Sequence, residues 1–126
     1  MSPRVLVVGV TGSTSADAVC AALAARGITV DATDAPNALV ALDTKRPDVI
    51  LLEVGELPAD GMEVLDRIRA NPQQAGIPVI LMAAEADDED LFEGYKFGAD
   101  YYLTKPLSPR HLLYAVGLVL GREFPE

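Results

Sequence analysis

Three uninterrupted apolar runs, Val5-Leu6-Val7-Val8, Val49-Ile50-Leu51-Leu52 and Val79-Ile80-Leu81-Met82, constrain the fold of this chain more than any other feature. A strand with one wet face alternates apolar and polar residues, so a run that is apolar at every position needs cover on both faces. Central strands of a parallel sheet, flanked by helices, meet that need. Strands are expected at Arg4 to Val8, Ile28 to Ala32, Val49 to Val54, Ile77 to Ala83 and Tyr101 to Leu103. Amphipathic stretches between and after them predict helices at Ser15 to Arg26, Ala35 to Lys45, Gly61 to Asn71, Asp88 to Phe97 and Pro109 to Gly121. The first helix repeats Ala16, Val19, Cys20, Leu23 and the last repeats Leu112, Val116, Val119, Leu120, the spacing of a buried stripe. Asp34 ahead of Ala35-Pro36 and Ser108 ahead of Pro109 predict helix caps, and Gly27, Gly98 and Gly121 predict left-handed helix ends. Five βα units with short connections imply a doubly wound parallel sheet, which places ligands beyond the carboxyl ends of its strands.

Length and charge narrow the function. A chain of 126 residues, half of them apolar, is expected to form a single domain over residues 1–126. Nineteen acidic against ten basic side chains give a net charge of −9, which repels phosphate backbones and anionic membranes, so neither nucleic acid nor membrane is an expected partner. The lone Cys20 and the absence of any Cys/His set give no metal centre and fit a reducing compartment. Val5 to Val10 is too short to span a bilayer, and a cytoplasmic location is expected.

The segments that follow the strands carry the functional information: Gly9-Val10-Thr11-Gly12-Ser13-Thr14, Glu53-Val54-Gly55-Glu56, Ala83-Ala84-Glu85 and Thr104-Lys105-Pro106. With Pro47-Asp48-Val49-Ile50-Leu51-Leu52, Asp60-Gly61-Met62-Glu63-Val64-Leu65, Ile77-Pro78-Val79-Ile80 and Gly98-Ala99-Asp100-Tyr101-Tyr102-Leu103, the chain resembles a response-regulator receiver domain over nearly its whole length. The resemblance implies a flavodoxin-like (βα)5 fold with a five-stranded sheet in the order 2-1-3-4-5. It also implies a site in which two acids after the first strand and an Asp after the third hold Mg²⁺. A Thr or Ser and a Lys would then grip the phosphoryl group, and an aromatic on the fifth strand would report the change. Mapped residue by residue, the acid pair falls on Gly9 and Val10, the phosphoacceptor on Glu53, the hydroxyl on Ala83, the lysine on Lys105 and the aromatic on Tyr102. Only Lys105 and Tyr102 keep the family's residue type.

A pseudo-receiver is therefore expected: a non-enzymatic domain without cofactor that acts by protein–protein contact in a bacterial-type phosphorelay pathway, with self-association one form of that contact. Glu53 has two readings, an imitation of the phosphorylated state or a plain partner for Lys105. The resemblance places the contact surface on the fourth helix, fifth strand and fifth helix, nominating Tyr95, Tyr101, Tyr102, Leu107 and His111. The alternative from another class rests on Thr11, Gly12, Ser13 and Thr14, part of a loop from Gly9 to Ser15 that resembles a flavodoxin phosphate loop and would bind a phosphate-bearing small molecule. The acidic run from Glu85 to Asp90 reads as a solvated helix start.

Overall fold

A computed structural model describes residues 3–9, 14–34, 37–44, 46–54, 65–83, 99–104 and 109–121. Five strands, β1 (Arg4–Gly9), β2 (Thr29–Asp34), β3 (Val49–Val54), β4 (Val79–Ala83) and β5 (Tyr101–Thr104), form one parallel sheet in the order β2-β1-β3-β4-β5. The described helices are α1 (Thr14–Ala24), α2 (Ala38–Thr44), α3 (residues 65–70) and α4 (Pro109–Leu120). The helix expected at Asp88 to Phe97, the caps at Ala35-Pro36 and Ser108, and Gly98 lie outside the described residues.

The continuous apolar runs are buried on both sides, as their pattern demands. Leu6, Val8, Ile50, Leu52, Val79, Leu81 and Tyr102 pack with Ala38 and Leu42 of α2 and Leu65 and Ile68 of α3. Their neighbours in sequence, Val5, Val7, Val49, Leu51, Ile80, Met82 and Leu103, pack with Val19 and Leu23 of α1 and Leu112, Ala115 and Val116 of α4. Successive strand residues point to opposite faces, so one strand feeds two cores. Each fully buried Leu, Ile or Val contributes about 1.5–3 kcal/mol relative to exposure, and β3 alone buries Val49, Ile50, Leu51 and Leu52 completely.

Several expected boundaries move, each for a local reason. Helix α1 ends at Ala24 instead of Arg26, because the Ile28 N–H donates to the Leu23 carbonyl (3.3 Å) and the Gly27 N–H to the Ala24 carbonyl (3.0 Å). These are the two bonds of a Schellman cap, with Gly27 at φ 77° in the left-handed position. Ile28 belongs to that cap, packing in the same core as Leu23, so β2 begins one residue later, at Thr29, and runs on to Asp34. Gly121, at φ 71°, ends α4 in the same left-handed conformation, which bears out its expected role. Ile77 is likewise not in β4: its N–H closes a turn on the Gln74 carbonyl (3.0 Å), and Pro78 has no N–H to give. The α3 segment stops before Pro72, which disfavours helical geometry at Asn71. There Asn71 Oδ1 accepts from the Gln73 N–H (3.0 Å) and its carbonyl accepts from Gln74 and Ala75 (2.9 and 2.8 Å).

Polar side chains tie together the amino ends of the strands. Arg4 pairs with Asp31 across β1 and β2 (2.7 Å), and its backbone N–H donates to Asp48 Oδ2 (2.8 Å) just ahead of β3. At the other side of the sheet, Asp100 Oδ2 accepts from the Val79 N–H (2.8 Å) and from Arg69 Nη2 (2.8 Å). Arg69 Nη1 donates to the Ala75 and Ile77 carbonyls (both 2.7 Å), so one guanidinium joins α3, the turn after it and the entry to β5. No helix among the described residues is long and apolar enough to cross a membrane.

Candidate functional site at the carboxyl ends of the strands

In a parallel sheet all strands finish at the same edge, and register alone decides which residues meet there. Gly9 closes β1 opposite Asp34 of β2. Val8 pairs with Leu52 of β3, which sets Gly9 beside Glu53 at the next position. Glu53 pairs with Met82, Val54 with Ala83, and Ala83 in turn with Thr104 of β5. Positions 9, 53, 82 and 103 thus form one row across β1, β3, β4 and β5, and positions 54, 83 and 104 stand one residue further on, with neighbouring strands about 4.8 Å apart. The row includes the topological switch point of the sheet. Helix α1, after β1, packs on one face and α3, after β3, on the other, so the chain diverges between these two strands, the place where sheets of this kind bind ligands.

The structure brings Gly9, Glu53 and Ala83 to one edge, as their place after successive strands requires. Thr14 opens α1. Val10, Thr11, Gly12, Ser13, Tyr95, Lys105 and Leu107 lie outside the described residues. The two adjacent tyrosines of β5 separate as strand alternation requires. Tyr101 packs half-buried against the α1/α4 core, and Tyr102, 9% exposed, lies in the α2/α3 core next to its register partner Leu81. Tyr102, nominated as the aromatic that reports the change, is thus a packing residue of the core. His111 is exposed on α4. Two further surface residues escaped the sequence reading: Tyr114 and Leu118, one helical turn apart on α4, are 62% and 54% exposed. Both fall off the Leu112, Val116, Val119 stripe, and that displacement was the available signal.

The sheet order and the two-faced helical cover define a CheY-like α/β domain, and comparison with known proteins places it more closely. The response regulator receiver domain model matches residues 5–117, and the chain belongs to that family. It is 32% identical over 126 residues to the phosphate regulon transcriptional regulatory protein PhoB of Escherichia coli K12, covering 99% of this chain and 55% of that protein. The alkaline phosphatase synthesis transcriptional regulatory protein PhoP of Bacillus subtilis is 36% identical over 93 residues, 74% of this chain and 38% of its own length. The chain thus spans about half, or less, of the length of these curated relatives. Among solved structures, the chemotaxis protein CheY4 of Vibrio cholerae superposes with a TM-score of 0.86 at 30% identity, covering 95% of this chain and all (100%) of that one.

The Mg²⁺ implied by the family does not fit the residues present. Mg²⁺ needs oxygen donors in near-octahedral array, usually carboxylates and retained waters. Gly9 ends β1 with no side chain at all, and the next residue, Val10, is a hydrocarbon, so Glu53 is the single carboxylate at the three positions where the family places its metal acids. Among the described residues no group of three or more His, Cys, Asp or Glu side chains converges on a point.

Proposed function

We propose that this receiver domain takes no phosphoryl group, catalyses no reaction and acts by protein–protein contact in a two-component type pathway. The observation that carries this reading is that Gly9, Glu53 and Ala83 stand at the carboxyl ends of three neighbouring strands. Phosphoryl transfer to a receiver depends on positioning and on charge neutralisation at the transferring oxygens. Here the residues that would supply the metal, the Asp acceptor and the hydroxyl are replaced together. What such a domain keeps is its shape. Tyr114 and Leu118 support a contact role, because a large aromatic and an aliphatic residue held exposed on a rigid helix are the kind of group that anchors interfaces.

The test is intact-mass measurement after incubation with Mg²⁺ and acetyl phosphate. The mass is expected to stay that of the unmodified chain, and a stoichiometric acyl-type phosphate adduct overturns the reading. Glu53→Asp alone is also expected to remain unmodified, since no acid is restored at positions 9 and 10. The contact surface has its own test. Tyr114→Ala and Leu118→Ala are expected to change stability by less than about 0.5 kcal/mol, as for other exposed positions. Either should nevertheless weaken self-association or partner binding several-fold in sedimentation or titration experiments. Unaltered association in both variants places the surface elsewhere.

A further inference from the structure

We propose that the exposed stripe of α4, formed by Arg110, His111, Tyr114 and Leu118, docks an acidic amphipathic helix of a second protein and not a second copy of this chain. The proposal rests on the contact reading above and names the chemistry of the partner. Residues 111, 114 and 118 fall on one helical face, and Arg110 stands four residues before Tyr114, so a cation and an imidazole lead into two large exposed apolar side chains. Charge singles this helix out. Asp17 lies in α1, Asp43 in α2 and Asp66 in α3, whereas α4 carries no acidic residue. The sequence holds no acid between Asp100 and Glu123, a stretch whose cations are Lys105, Arg110 and Arg122. On a chain of net charge −9, an acidic partner is repelled by most of the surface and meets a favourable sign here, which directs it to this helix.

A second copy lacks what the stripe calls for. A closed dimer uses the same patch on both protomers. Paired through α4, it would bring Arg110 and its copy into one interface to which neither stripe contributes a carboxylate, and like charges so placed oppose docking. An acidic amphipathic helix has no such conflict. Its aliphatic side chains cover Tyr114 and Leu118, and a Glu or Asp beside them accepts charge-assisted hydrogen bonds from the Arg110 guanidinium.

Selection on the full chain from a displayed library of amphipathic helical peptides, with no charge preference built in, tests this. Enriched peptides are expected to be acidic. Their affinity should fall several-fold with Tyr114→Ala or Leu118→Ala, and about tenfold or more with Arg110→Glu. Selection on Arg110→Glu itself should turn toward basic peptides, a reversal that a purely apolar contact would not produce. Circular dichroism confirms that each variant is folded, and Arg110→Gln takes the place of Arg110→Glu if the latter is not. No enrichment, enrichment of neutral or basic peptides by the native chain, or binding indifferent to the α4 variants overturns the proposal. In sedimentation the chain alone is expected to stay monomeric. A dimer that Leu118→Ala dissociates makes a second copy the occupant, which overturns this inference and leaves the contact reading in place. A phosphate adduct in the mass experiment, with acidic peptides still bound at α4, would sink the functional reading alone.

Discussion

Tyr102→Ala is expected to lower the stability of the domain by about 3–4 kcal/mol, the range for removing a buried aromatic and leaving a partly collapsed cavity. Tyr102 is 9% exposed and packs in the α2/α3 core beside Leu81. For a domain of this size, with a typical total stability of about 5–15 kcal/mol, that loss is a large share. Any fall in partner binding by this variant would then track the unfolded fraction. Chemical denaturation followed by circular dichroism measures it, and a cost below about 1 kcal/mol would mean that the ring packs loosely enough to leave the core. Tyr102→Phe keeps the ring in place and is expected to cost a small part of that amount, which separates the loss of volume from the loss of the hydroxyl.

Asp100→Ala is the second large effect, about 2 kcal/mol, and the physical question is which of its partners carries the cost. The Arg69–Asp100 ion pair is short at 2.8 Å, but the Asp100 side chain is 46% exposed, and pairs so open to water contribute about 0–1 kcal/mol. The bond from the part-buried Val79 N–H to the same carboxylate is a hydrogen bond to a charged group, worth about 1.5–3 kcal/mol, and its loss strands a donor at the start of β4. Most of the effect should therefore pass through Val79. Asp100→Asn keeps an acceptor and should recover much of the loss. A double-mutant cycle between Arg69→Ala and Asp100→Ala should give a coupling below about 1 kcal/mol. Arg69→Ala has its own cost, because the Ala75 and Ile77 carbonyls both lose a donor. A coupling of several kcal/mol would assign the stabilisation to the ion pair instead.

The sheet could be read from three tetrapeptides because a strand buried on both faces leaves an unmistakable pattern, and all three fall inside observed strands. Ends were harder. Ile28 and Ile77 are apolar and next to strands, yet both serve turns, and only the hydrogen bonds from Ile28 to Leu23 and from Ile77 to Gln74 reveal it. The helical stripe of α4 was visible in Leu112 and Val116, whereas Tyr114 and Leu118 were passed over because a stripe directs attention to what it buries. At the site, the placement of Gly9, Glu53 and Ala83 after successive strands followed from motif spacing. That β3 as well as β2 lies beside β1 followed from the resemblance alone, whose strand order 2-1-3-4-5 is the one observed. The Arg69–Asp100 bridge joins residues 31 apart in sequence that carry no local signal of contact. Tyr101 and Tyr102 look alike in the sequence, and only the register on Ile80 and Leu81 shows which core each one enters.

The polar fastenings described above lie at one edge of the sheet and the strand ends with Gly9, Glu53, Ala83 and Thr104 at the other. Such a layout works like a book bound along its spine. The Arg4, Asp48, Arg69 and Asp100 contacts hold the pages in order, so what is written at the open margin can be rewritten without the binding giving way. A domain made this way can change residues along that margin position by position while its fold stays the same.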